Sequence, residues 1–170
     1  MAPENQPQFQ SVPPPAPVAP SLSARLTALL SRLHAHPIAV HTPNGVLPAA
    51  TALMAAGAGF GHPGLMTAGW YNLIFVAAAM PVVLYTGYVD WQNRYRGAKT
   101  RVFRRKIISG IATAAIAGLI APLPAVWPAL LAPGAPARFL YLLLMGVNLA
   151  PAVYAGYLGG RLVFPPGKKL

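Results

Sequence analysis

The sequence predicts an all-α integral membrane fold, a four-transmembrane-helix bundle preceded by an N-terminal amphipathic surface helix. Three observations carry this. Apolar residue types make up 55% of the chain, charged residues only 9%, and the mean hydropathy is +0.50, whereas about a quarter of a soluble domain is charged. Four long stretches are almost free of charge. The cations gather in the connections between those stretches, as is usual for the loops of membrane proteins.

Residues 1–20 hold seven prolines and no apolar run. They predict a disordered Pro/Gln-rich tail, since a secretory leader needs a basic start followed by an apolar core. Residues 21–35 change character. Leu22, Leu26, Leu29, Leu30 and Leu33 recur at the spacing of one helical face, Arg25 and Arg32 lie off it, and Ser21 or Ser23 is placed to cap the start. This segment is too short to cross a bilayer and is expected to lie in its surface, with the arginines near lipid phosphates; a partner-binding helix is the alternative. Residues 36–170 form the predicted transmembrane domain, with spans at about 43–60, 65–89, 107–131 and 139–164. Each is close to the ~20 residues that cover ~30 Å of hydrocarbon. The first is short and carries Pro43 and Pro48, and the third is interrupted by Pro122, Pro124 and Pro128, which are expected to break its last turns.

Four crossings place twelve of the thirteen cations on one side. Arg25 and Arg32 precede the first span, Arg94, Arg96, Lys99, Arg101, Arg104, Arg105 and Lys106 join the second to the third, and Arg161, Lys168 and Lys169 end the fourth; only Arg138 lies opposite. The excess of Lys and Arg on the inner side of membrane proteins then predicts that both termini are cytoplasmic. Aromatic residues agree: Trp70, Tyr71, Trp127, Phe139 and Tyr141 fall near outer span ends, and Tyr85, Tyr88, Trp91, Tyr154, Tyr157 and Phe164 toward inner ones. Gly110, Ala114 and Gly118, and Gly156 with Gly160, form stripes of small residues that predict close helix packing within the bundle.

The composition excludes several chemistries. There is no cysteine, so the chain supplies no thiolate ligands or disulfides, and Glu4 and Asp90 are the only carboxylate side chains, too few for a paired-carboxylate hydrolase. The net charge of +11 is accounted for by membrane topology, and no nucleic-acid partner is expected. The polar residues that remain gather at the inner face: His34, His36 and His41 before the first span, Asp90 at the end of the second, and basic residues opening the third. The bland expectation for Asp90 is an ion pair with Arg101, Arg104 or Arg105 that pins two helices together; the sharper one is a functional site. Asn72 and Asn148 lie inside spans and need hydrogen-bond partners, expected between helices. Haem b asks for two opposed axial imidazoles. On a continuous helix His36 and His41 diverge by about 140°, Pro37 breaks the regularity that would align His34 with His41, and His62 lies in the outer loop, so no pair makes a natural site within one chain; a single axial histidine, or a second one from a partner subunit, is the alternative. A zinc or copper site of His34, His36 and His41 would need a tight loop.

Three separated motifs carry a family resemblance. The run HPIAVHTPNGVLPAA from His36, the ending Leu84-Tyr-Thr-Gly-Tyr-Val-Asp90-Trp91, and the tail Gly156-Tyr-Leu-Gly-Gly-Arg-Leu-Val163 occur in order across residues 36–164. Together they resemble the bacterial membrane family catalogued as domain of unknown function number 2231. The resemblance implies a four-helix domain of the bacterial inner (cytoplasmic) membrane in an electron-transfer setting. The resemblance also implies, in many relatives, a further histidine at the start of the third helix; here Val102-Phe-Arg-Arg-Lys-Ile107 has none, and Thr42 and Asn44 replace an aromatic and an apolar residue. If the family binds haem between its first and third helices, this chain lacks one side of that site. The expectation is therefore a non-catalytic anchor or accessory subunit whose partners are the lipid bilayer and another protein of a membrane complex. The alternative is an electron-transfer subunit binding haem b or quinone near His36, His41 and Asp90.

Overall fold

The computed structural model describes residues 21–163, so the expected tail at 1–20 and Lys168 and Lys169 lie outside the described residues. The described residues are all helical apart from turns and connections. Helix α1, Leu22–Arg32, starts where the Ser21 hydroxyl accepts from the Ala24 amide. It ends at His34, which adopts a left-handed conformation (φ 53°) that few side chains tolerate and that turns the chain sharply. Helix α2, Ala35–Ala39, follows, then a π-helical turn Thr42–Val46, then α3, Leu47–Phe60. Pro43 and Pro48 lack the amides that a regular α-helix would use here, and the wider turn lies between them.

Helix α3 and α4, Pro63–Asn93, form a tight antiparallel hairpin. Gly61 (φ 67°) closes α3, the His62 ring accepts from the Leu65 amide to cap α4, and Pro63 occupies the first turn. Two glycines set the closeness of the pair. A Cβ on Gly57 would lie 2.7 Å from the Met66 amide nitrogen, and one on Gly69 would lie 2.8 Å from the Ala50 carbonyl oxygen. Neither seam glycine belongs to the stripes expected from sequence. Of those, Gly110 packs against Leu84 and Gly156 against the Asn44 amide, whereas a Cβ at Gly118 or Gly160 would meet nothing within 4 Å.

Helix α5, Arg101–Ile120, begins with the Thr100 hydroxyl accepting from the Phe103 amide. A turn leads to the short α6, Leu123–Val126, and a 3-10 turn Pro128–Leu130 before α7, Ala137–Val163. Pro124 has no amide to give the Ile120 carbonyl, and the Ala125 amide bonds to Pro122. Two aromatic side chains serve the carbonyls left over: the Tyr141 hydroxyl donates to Ile120 at 3.2 Å and the Trp70 indole to Ala121 at 2.7 Å. Tyr141 is fully buried as a result, rather than standing at an interface as its position near a span end suggested. It joins Leu47, Met54, Met66, Leu73 and Met145 in one core where α3, α4, α5 and α7 meet.

Three helical stretches, Pro63–Asn93, Arg101–Val126 and Ala137–Leu162, are long and apolar enough to cross a membrane. Their outer faces expose Phe75, Val82, Ile108, Leu119 and Leu143, the opposite of a soluble bundle. The first of the four expected spans does not join them, because the π-helical turn leaves α3 only 14 residues, about 21 Å of helix.

Gly69→Val should destabilise the protein by about 1–3 kcal/mol through overpacking of the α3–α4 seam. Gly59→Val, on a face with nothing within 4 Å, should leave stability unchanged. Thermal unfolding of both variants in one detergent checks this.

Candidate functional site

A stripe of residues on α4 leads from the core to a polar end. Leu73, Val76, Met80, Val83, Thr86 and Asp90 are all buried and follow one helical face. On α5 the buried face runs Phe103, Ser109, Thr113 and Ala117, and Lys106 lies half-buried in phase with it, while Arg101, Arg104 and Arg105 are exposed. The two faces, α2, the π-helical turn and α7 line an open-sided cavity of about 620 Å³ whose walls include Met80, Val83, His36, Asp90 and Lys106.

His36 is held at both ring nitrogens. The Thr86 hydroxyl gives its hydrogen to the Val82 carbonyl at 2.8 Å, so towards the His36 Nδ1, 3.5 Å away, it acts as acceptor and Nδ1 carries the proton. The other nitrogen, Nε2, then accepts from the Lys106 ammonium at 3.3 Å. Gly87 makes room for the ring: a Cβ there would lie 2.9 Å from the His36 Cε1. Burial first, and the Lys106 charge second, hold the His36 pKa below its ordinary value of 6.5, with Asp90 opposing.

The other expected site residues are placed as follows. His34 donates from Nδ1 to the Arg32 carbonyl at 3.0 Å and accepts at Nε2 from Arg94 at 2.6 Å. His41 is exposed at the cavity edge, its Nδ1 2.7 Å from the Pro37 carbonyl. Asp90 is buried to 5% exposure, faces the cavity, and has no hydrogen bond to its carboxylate among the described residues. Its charge acts on Lys106 and His36; no ion pair joins it to Arg101, Arg104 or Arg105 among the described residues, because those three point outward. Of the two asparagines within spans, Asn72 bonds to Ala68 of its own helix, and Asn148 is fully buried with neither amide atom partnered among the described residues.

Both His36 nitrogens thus face protein groups, and one nitrogen of His41 is committed to the Pro37 carbonyl. Among the described residues no three metal-ligating side chains converge. What the arrangement offers is a mostly apolar chamber with an ammonium, a carboxylate and a neutral imidazole at one end.

Sequence reading placed His36 and Asp90 in this region but missed Thr86, Gly87 and Asn44 as its supports. Helical phase was the available signal for Lys106, which falls three residues after Phe103 and three before Ser109 on the buried face.

No family model matches the chain. A protein of Archaeoglobus fulgidus, described as an uncharacterized protein, is 43% identical over 37 residues. That alignment covers 22% of this chain and 33% of the archaeal protein. No solved structure matches.

The depressed His36 pKa has a signed consequence. Below pH ~6.5 the unfolded chain takes up a proton that the folded chain refuses, so stability falls with pH until the folded pKa is reached and is level below it. NMR titration of His36 should give a pKa under 6.5, raised in Lys106→Met by loss of the like charge. His36→Gln should flatten the corresponding slope in stability against pH. An unshifted His36 titration in the folded protein contradicts this account.

Proposed function

We propose that the chain is a polytopic membrane subunit without catalytic chemistry of its own, serving as an anchor or accessory component of a membrane complex of the bacterial inner membrane. In this reading the π-helical turn and α3 together make a fourth, irregular crossing beside the three long helices, α2 with His36 lies at its inner end, and both termini are cytoplasmic. The distribution of charge is the observation that carries it. Arg94, Arg96, Lys99 and the basic first turns of α5 lie at one end of the bundle, joined there by α1 through the Asn93 side-chain amide, which donates to the Thr27 carbonyl. Arg138 begins α7 at the other end.

Helix α1 fits the cytoplasmic surface in the same reading. Thr27, Leu30 and Ser31 are its less exposed residues, whereas Leu22, Leu26, Leu29 and Leu33 stand out from the protein, flanked by Arg25 and Arg32. Such a face suits the boundary between lipid head groups and acyl chains. The three sequence motifs support membership of the family catalogued under number 2231, and Gly87 and Gly156, which belong to two of them, seat His36 and Asn44 of the third. A complex is consistent with so few groups capable of chemistry.

The chain has no native cysteine, so Lys99→Cys and Pro133→Cys can be probed singly with an impermeant maleimide in intact cells. Position 133 should label from outside and position 99 only after permeabilisation; external labelling at 99 refutes the orientation. Affinity purification in mild detergent should bring down a stoichiometric membrane partner, and a chain that purifies alone from its native membrane refutes the subunit role.

A further inference from the structure

The cavity below α2 combines features that a packing defect does not. Its volume of about 620 Å³ lies in the range of small-molecule sites, roughly 300–1,000 Å³. Its long wall is mostly apolar, formed by residues such as Met80, Val83 and Ile111, and its charged groups, Asp90, Arg94 and Lys106, lie toward one end. Asp90 there is 95% buried by its 5% exposure and carries a carboxylate with no hydrogen-bond donor among the described residues. Its oxygens open onto the cavity, where they are placed to accept from a bound donor.

The charges at that end select the partner. Lys106 is positive, Asp90 is negative, and His36 is locked neutral because its Nε2 accepts from Lys106. Arg94 at the rim is exposed, where solvent screens the charge it retains. The inner end is therefore balanced, and an anionic head would meet the Asp90 carboxylate in a low-dielectric setting. A hydroxyl suits both neighbours, since it donates to Asp90 and accepts from Lys106. From this arrangement we infer that the cavity binds a lipid-soluble molecule with an uncharged, hydroxyl-bearing head and an apolar tail, the chemistry shared by quinols and acylglycerols. This site stands independently of whether the chain anchors a complex.

Native mass spectrometry of the full chain in detergent tests it with three probes: decylubiquinol, monolaurin and laurate. At least one of the two hydroxyl-headed probes should bind saturably, one per chain, about tenfold or more tighter than laurate, as expected for a hydrogen bond to a charged group. The tighter of the two names the source. Asp90→Asn leaves Lys106 uncompensated and should reverse the preference towards laurate. Gly160 lines the cavity and a Cβ there meets open space, so Gly160→Phe should fill the chamber and abolish binding, while Gly59→Phe, away from it, should not. Circular dichroism and thermal unfolding establish that each variant is folded, and Gly160→Phe stands as the test if Asp90→Asn is not. Equal or tighter laurate binding by the unaltered chain, an unchanged preference in Asp90→Asn, or unchanged binding in Gly160→Phe each overturns the proposal.

Discussion

A peptide carbonyl that loses its helical partner in an apolar surrounding must find another donor, and this constraint shapes both ends of the molecule. At the end of α5, proline at 124 withdraws an amide and the following turn tightens, leaving the carbonyls of Ile120 and Ala121 to Tyr141 and Trp70. Those donors come from α7 and α4. A local break in one helix is thus converted into a three-helix junction, and the fully buried Tyr141 sits at its centre. At the opposite end, the stretch between Pro43 and Pro48 becomes a π-helical turn whose Asn44 side chain rests on Gly156 of α7. Prolines that would be faults in an isolated helix are the places where this bundle is tied together.

The polar end follows a related logic in side chains. Two histidines accept from cations on neighbouring helices, His34 from Arg94 and His36 from Lys106. The His36 contact holds only while its imidazole is neutral, since protonation would set like charges face to face. The two contacts fix α2 and the left-handed bend at His34 against α4 and α5, which closes one side of the cavity. Asp90 differs from its neighbours in being buried with its carboxylate turned to that space.

Much of the helical architecture was legible in residue types. The apolar stretches, the cap at Ser21 and the breaks around prolines all act through local backbone chemistry, which one sequence contains in full. The candidate site was only half legible. Asp90 and His36 stand out because charged and imidazole side chains are scarce in so apolar a chain. Lys106 did not, because three adjacent cations look alike until helical phase turns one inward and two outward. The small-residue stripes misled at Gly118 and Gly160, since spacing along one helix says nothing of whether a neighbour faces it.

By itself, the sequence determined that the chain is helical, that it carries long stretches apolar enough for a bilayer, expected as four where the described residues give three such helices, and where their regularity fails. These depend on hydropathy, on amide loss at proline and on capping, each a property of residues within a few positions of one another. The tertiary structure alone decided that Gly57 and Gly69 form the tight seam, that Tyr141 is buried rather than interfacial, and that Asp90 faces Lys106 and His36 instead of the arginines expected to pair with it. Those outcomes turn on the distance and rotation between separate helices, and it is packing across the bundle that sets both.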